Sequence, residues 1–155
     1  MALPSKQGRA YSAGLGVLCL DAPGDVRLTR IDALASNQAI TIRGFAVRAN
    51  PAIAGKMQIA LEPGSLRAAG FNPASPQTVD GTCAPGAVRG SGQEDPGREA
   101  VELGVELVRT GQGSGRIDGF RLTYQSKDKS EELRIPMTVI LCSDSDRTTE
   151  ECNHR

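Results

Sequence analysis

The chain has 155 residues, enough for one domain that buries roughly 70% of the surface its unfolded form would expose. Hydrophobic residues make up 39% and aromatics only 3%, with no tryptophan, so a core must be built from Val, Ile and Leu, residues that favour strands. Eighteen basic residues balance eighteen acidic ones without blocks of like sign, which argues against nucleic-acid binding, and no apolar run reaches the ~18 to 20 residues needed to span a bilayer.

In chain order, Met1 to Lys6 leads into a polar stretch, Gln7 to Ser12, and residues 1–15 are expected to form a flexible N-terminal segment. The run Ala13 to Leu20 is too short for a signal peptide. Val17 to Leu20 reads as a first strand, followed by the turn Ala22-Pro23-Gly24-Asp25. Val26 to Leu34 reads as a second strand whose alternation slips between Leu28 and Ile31, the mark of a bulge or an edge. Ala39 to Ala49 is a third, changing face at Gly44, again as a bulge would. Lys56 to Glu62 is a fourth, with Met57, Ile59 and Leu61 expected to face inward.

From residue 63 to 99 the pattern dissolves into Gly, Pro, Ala and Ser. Within it, Gly64 to Phe71 fits one short helix stopped by Pro73, and Thr78 to Cys83 a short strand. Gly86 to Arg98 is polar and glycine-rich, a mobile loop by composition. Alternation then returns in Val101, Leu103, Val105 and Leu107, in Phe120, Leu122 and Tyr124, and in Leu133, Ile135, Met137, Val139 and Leu141 before Cys142. Pro136 places the last strand at an edge or on a bulge. Gly111 to Gly115 lacks dinucleotide-loop spacing and a Walker lysine, so it reads as a hairpin loop. Residues 144–155 form a polar tail, leaving one domain over 16–143.

Cys19, Cys83, Cys142 and Cys152 form no C-x-x-C pair and lack histidines at zinc-site spacing. Two disulfides, and with them an oxidising extracytoplasmic setting, are expected; the alternative is four buried thiols in a cytoplasmic protein. Of the three connectivities, Cys83 with Cys142 and Cys19 with Cys152 is favoured, the first closing a loop of about 60 residues for roughly 4 kcal/mol. Cys152 can also remain unpaired. An extracytoplasmic protein needs an export signal or anchor, which this stretch of sequence does not supply.

Chemistry is sparse. The single histidine, His154, stands next to last, so serine or cysteine nucleophiles lack an interior histidine base. Asp21, Asp25, Asp32, Asp80 and Asp118 lie near strand ends and read as turn or cap residues. Glu94, Asp95, Glu99 and Glu102, and in the tail Asp144, Asp146, Glu150 and Glu151, offer oxygen ligands without the spacing of a calcium loop. No metal, no cofactor and no enzymatic activity are expected. Arg27, Arg30, Arg43 and Arg48 fall on neighbouring strands and are the candidates for a face that receives an anionic partner.

The order Val17-Leu18-Cys19-Leu20-Asp21, Ile42 to Pro51, Gly104-Val105-Glu106-Leu107, Gly119 to Tyr124 and Val139-Ile140-Leu141-Cys142 resembles uncharacterised extracytoplasmic domains of actinobacteria, over residues 16 to 143. The resemblance implies an immunoglobulin-like sandwich, secreted or membrane-tethered, and transfers no functional residue. The expectation is therefore an all-β, antiparallel sandwich of about seven strands with one or two disulfides. Its expected function is binding a protein or cell-envelope component through loops or a sheet edge. The alternatives are a small enzyme or ligand carrier with carboxylates in a loop-lined pocket, and a structural spacer.

Overall fold

The computed structural model describes residues 1–50, 57–83 and 100–153. Their strands are β1 (Ala2–Pro4), β2 (Ala10–Leu18), β3 (Val26–Ser36), β4 (Ile40–Ala49), β5 (Leu61–Pro63), β6 (Thr78–Val79), β7 (Val101–Arg109), β8 (Gly115–Ser126) and β9 (Lys129–Cys142). One sheet runs β1-β9-β8-β3-β6 and the other β4-β7-β2-β5. All pairings are antiparallel except β1 with β9. The all-β sandwich is as expected, with nine strands among the described residues instead of about seven, and the larger sheet curls into a half-barrel. No described helix is long and apolar enough to cross a membrane.

The core between the sheets is aliphatic, as the composition requires. Leu103, Val105 and Leu107 on β7 face Leu28 and Ile31 on β3, Ile117 and Leu122 on β8, and Val139 and Leu141 on β9. Tyr11 and Phe120 are the only aromatics fully buried there. The strands bend where the sequence slips: register shifts occur between Leu28 and Arg30 on β3 and between Ile42 and Gly44 on β4. On β9, two residues, Pro136 and Met137, oppose the single Gly119, whose φ of +80° suits glycine. Pro136 thus sits in a bulge on the part of β9 that β1 does not reach.

A second, smaller core lies outside the four-stranded sheet. Leu66 and Phe71 pack on Ala46 there, with Ile59 and Ala69 alongside. The expected helix over Gly64 to Phe71 is instead a hydrogen-bonded turn, closed by Ala69 N–H to Ser65 O and Phe71 N–H to Leu66 O. A helix this short gains little against its nucleation cost, and the turn brings both Leu66 and Phe71 onto the sheet, where both are buried. The segment is docked by β7, which points Glu102 and Glu106 outward: Glu106 accepts the Leu66 N–H at 3.0 Å and Glu102 the Ile59 N–H at 2.7 Å.

Other expectations change for related reasons. Residues 1–15 are structured as β1 and most of β2, not flexible; Tyr11 to Leu15 is buried on both faces, so it shows no period of two. The fourth strand shrinks to Leu61–Pro63, and Met57 is 88% exposed. Within the irregular region, β6 covers only Thr78–Val79, while Thr82 bridges to Leu20. Gly111 to Gly115 joins β7 to β8 in opposite sheets, so it is a crossing loop and not a hairpin. The loop expected at Gly86 to Arg98 lies outside the described residues.

Candidate functional site

The disulfides join Cys19 to Cys83 and Cys142 to Cys152, with Cα separations of 5.0 and 5.8 Å. All four cysteines are paired, in a connectivity that differs from the expected Cys83–Cys142 and Cys19–Cys152. Cys19 follows β2 and Cys142 closes β9, which places them at opposite ends of the sandwich, and each takes the partner its own end brings near. Two disulfides point to an oxidising environment.

At the Cys19–Cys83 end the curled sheet parts from its neighbour and leaves an apolar groove of about 240 Å³ on its concave face. Leu28, Val79 and Leu122 form the floor, and Leu18 and Leu133 the sides. A wider mouth of about 630 Å³ continues from it, sharing Leu20, Asp21, Val26 and Tyr124 and rimmed by Asp25, Arg27, Lys127 and Glu131. Three local features hold this mouth open. Leu20 exchanges backbone hydrogen bonds with Gly81 and Cys83, both at 2.8 Å. The turn Asp21 to Asp25 forms one lip, and the two-residue Lys127-Asp128 connection between β8 and β9 the other.

Tyr124 stands where groove meets mouth, paired across β8 and β9 with Glu131. Its phenol is pushed above the ordinary value, first by burial, then by Glu131 and the charge of Asp21. It therefore stays protonated at neutral pH and offers a hydroxyl at the edge of an apolar surface. The displaced carboxyls among the described residues move the other way and lie elsewhere. Asp118 is lowered by Arg116 and then Thr138, and Asp146 is held at about 2 by Ser114 and Ser143. Carboxyls stabilised as anions make poor proton donors.

The sequence candidates do not converge. Arg27 and Arg30 lie on β3 and Arg43 and Arg48 on β4, in different sheets, so the proposed arginine face does not exist. Arg30 pairs with Asp32 at 2.8 Å. Arg48 pairs with the fully buried Glu102 at 2.7 Å and lies 4.6 Å over the Phe71 ring, which makes it a strut of the smaller core. Of the candidate oxygen ligands, Glu94, Asp95 and Glu99 lie outside the described residues, as does His154. Glu102 is spent on Arg48, Asp144 on Arg147 and Glu151 on Arg116, and no metal-ligating cluster forms among the described residues.

The Cys142–Cys152 end carries the features that sequence reasoning missed. Asp146 accepts hydrogen bonds from the Ser114 N–H at 2.9 Å, the Ser114 hydroxyl at 2.6 Å and the Ser143 hydroxyl at 2.8 Å, fastening the tail to the β7–β8 crossing. Arg109 is only 5% exposed and donates to neutral oxygens: Ser5 Oγ and O, Gly111 O and Gln112 O. Only the position of Arg109 at the end of an apolar alternation hinted that it would be buried. No family model, curated protein or solved structure matches the chain.

Proposed function

We propose that the chain is a non-enzymatic, extracytoplasmic interaction domain of the cell envelope that takes an extended segment of a partner protein alongside β9. One observation carries the reading. β1 pairs only with Ile140 to Cys142, so Lys129 to Met137 forms a sheet edge without a neighbouring strand among the described residues. That edge borders the apolar groove through Leu133, which is 41% exposed, and its mouth through Glu131. A strand added there gains main-chain hydrogen bonds, and every second side chain falls on the concave face beside Leu133. Pro136 and the charges of Lys129, Glu131, Glu132 and Arg134 guard the edge against indiscriminate pairing.

The strand order supports an immunoglobulin-like assignment. In chain order β2, β3, β4, β7, β8 and β9 take the places of strands B to G: β4-β7-β2 matches D-E-B, and β3-β8-β9 matches C-F-G. The likeness is incomplete, because β5 occupies the place beside β2 and neither disulfide joins β2 to β8. Secretion or tethering outside the cytoplasm is supported by the paired cysteines and by the resemblance to exported actinobacterial domains.

A second reading, a carrier of a small amphiphile, is favoured by the apolar floor of the groove. Panning random linear peptides against the oxidised protein separates the two. Peptides with alternating apolar residues should be enriched and should lose at least about tenfold in affinity for Leu133→Asp. Failure to enrich any peptide, with a fluorescent amphiphile filling the groove, moves the assignment to the carrier; failure of both leaves a spacer and overturns the proposal.

A further inference from the structure

We propose that the opposite end of the sandwich is a binding site for a phosphate-class oxyanion. A cleft of about 640 Å³ opens there between the β1–β2 connection, the end of β5 and the C-terminal tail. Lys6, Arg9 and Arg147 line it against a single carboxylate, Asp144. In a chain with no net charge overall, three cations facing one anion across a concavity leave a local surplus that an oxyanion complements.

The cations are placed by backbone, not by chance contact. The Lys6 N–H donates to the Tyr11 hydroxyl at 2.7 Å, and the Arg9 N–H donates to Lys6 O at 3.3 Å. Gly8, with φ of +77°, donates its N–H to Arg109 O at 2.9 Å and so closes the turn on the buried arginine. The turn thus holds two cationic side chains on one lip, and neither forms an ion pair among the described residues. Arg147 stands on the other lip within the loop closed by Cys142–Cys152, 2.5 Å from Asp144. Guanidinium and ammonium donors from two sides suit a tetrahedral oxyanion, with the arginine forks providing paired hydrogen bonds.

Free phosphate and a lipid phosphodiester share this chemistry, and two arms distinguish them. The first titrates inorganic phosphate into the oxidised, isotope-labelled protein at low ionic strength, where screening is weak. Shifts should concentrate at Lys6, Arg9 and Arg147. Affinity should fall roughly two- to fivefold for each of Lys6→Gln, Arg9→Gln and Arg147→Gln, and stay unchanged for Arg43→Gln on β4, which does not line the cleft. The second arm sediments the protein with vesicles containing phosphatidylglycerol; co-sedimentation lost in the Lys6→Gln/Arg9→Gln double variant assigns the lipid as the source. Shifts spread over all surface arginines, or unchanged affinity in the three cleft variants, would overturn the proposal.

Discussion

Gly14 on β2 and Gly104 on β7 stand directly opposite each other, and Ala46 on β4 completes the row. This strip of minimal side chains lets the segment Ile59 to Phe71 lie against the sheet. A Cβ on Gly104 would meet the Phe71 ring at 2.8 Å and Leu66 at 2.9 Å, while one on Gly14 would meet the Ile59 carbonyl oxygen at 2.2 Å. Neither glycine has a positive φ, so close approach is what requires them. Gly104→Ala should cost about 1–3 kcal/mol, because side-chain ends can shift, and Gly14→Ala more, because a carbonyl cannot. Urea unfolding of the two oxidised variants measures the order, and a neutral Gly14→Ala would contradict it.

Glu102 on the same strand is fully buried, with one carboxylate oxygen on Arg48 and the other on the Ile59 N–H. Removing it leaves a guanidinium and an amide without their acceptor. Glu102→Ala should therefore destabilise by about 3–5 kcal/mol. Glu102→Gln, which keeps an acceptor of the same shape, should retain the native fold with a smaller loss. Thermal and urea unfolding of both variants check the difference.

The Asp146 carboxyl, held at about 2 in the fold against an ordinary 3.8, is stabilised as an anion by Ser114 and Ser143. Its contribution to folding is complete above about pH 4 and is lost as the pH falls through about 2. The Ser114 and Ser143 amide resonances should stay constant from neutral pH to about 4, then move between 4 and 2. Asp146→Asn should abolish that titration.

The disulfide pairs differ in the loops they close: the sequence separation is 64 for Cys19 and Cys83 and 10 for Cys142 and Cys152. Chain entropy gives about 4 and about 3 kcal/mol. Digestion without reduction should release peptides linking those two pairs, and Cys19→Ser/Cys83→Ser should cost more stability than Cys142→Ser/Cys152→Ser. A Cys83–Cys142 peptide would refute the fold at both ends.

Strands with one wet face were legible, since β3, β4 and β9 alternate and their bulges show as slips at Leu28 to Ile31, at Gly44 and at Pro136. β2 was legible only in part, because its outer face, Ser12 and Gly14, lies under the second core instead of in water. The arginine face failed because β3 and β4 are consecutive in the chain but belong to different sheets. The groove was illegible because its floor comes from β3, β6 and β8, a convergence that only strand order creates.

The most direct measurement of the proposed function is amide hydrogen exchange on the oxidised protein with and without a peptide enriched by panning. Addition of a strand should slow exchange at those amides of Lys129 to Ile135 that point away from β8, with resonance shifts at Leu122 and Tyr124 on the groove. Protection confined to other edges or loops, with β9 exchanging as in the free protein, would contradict it.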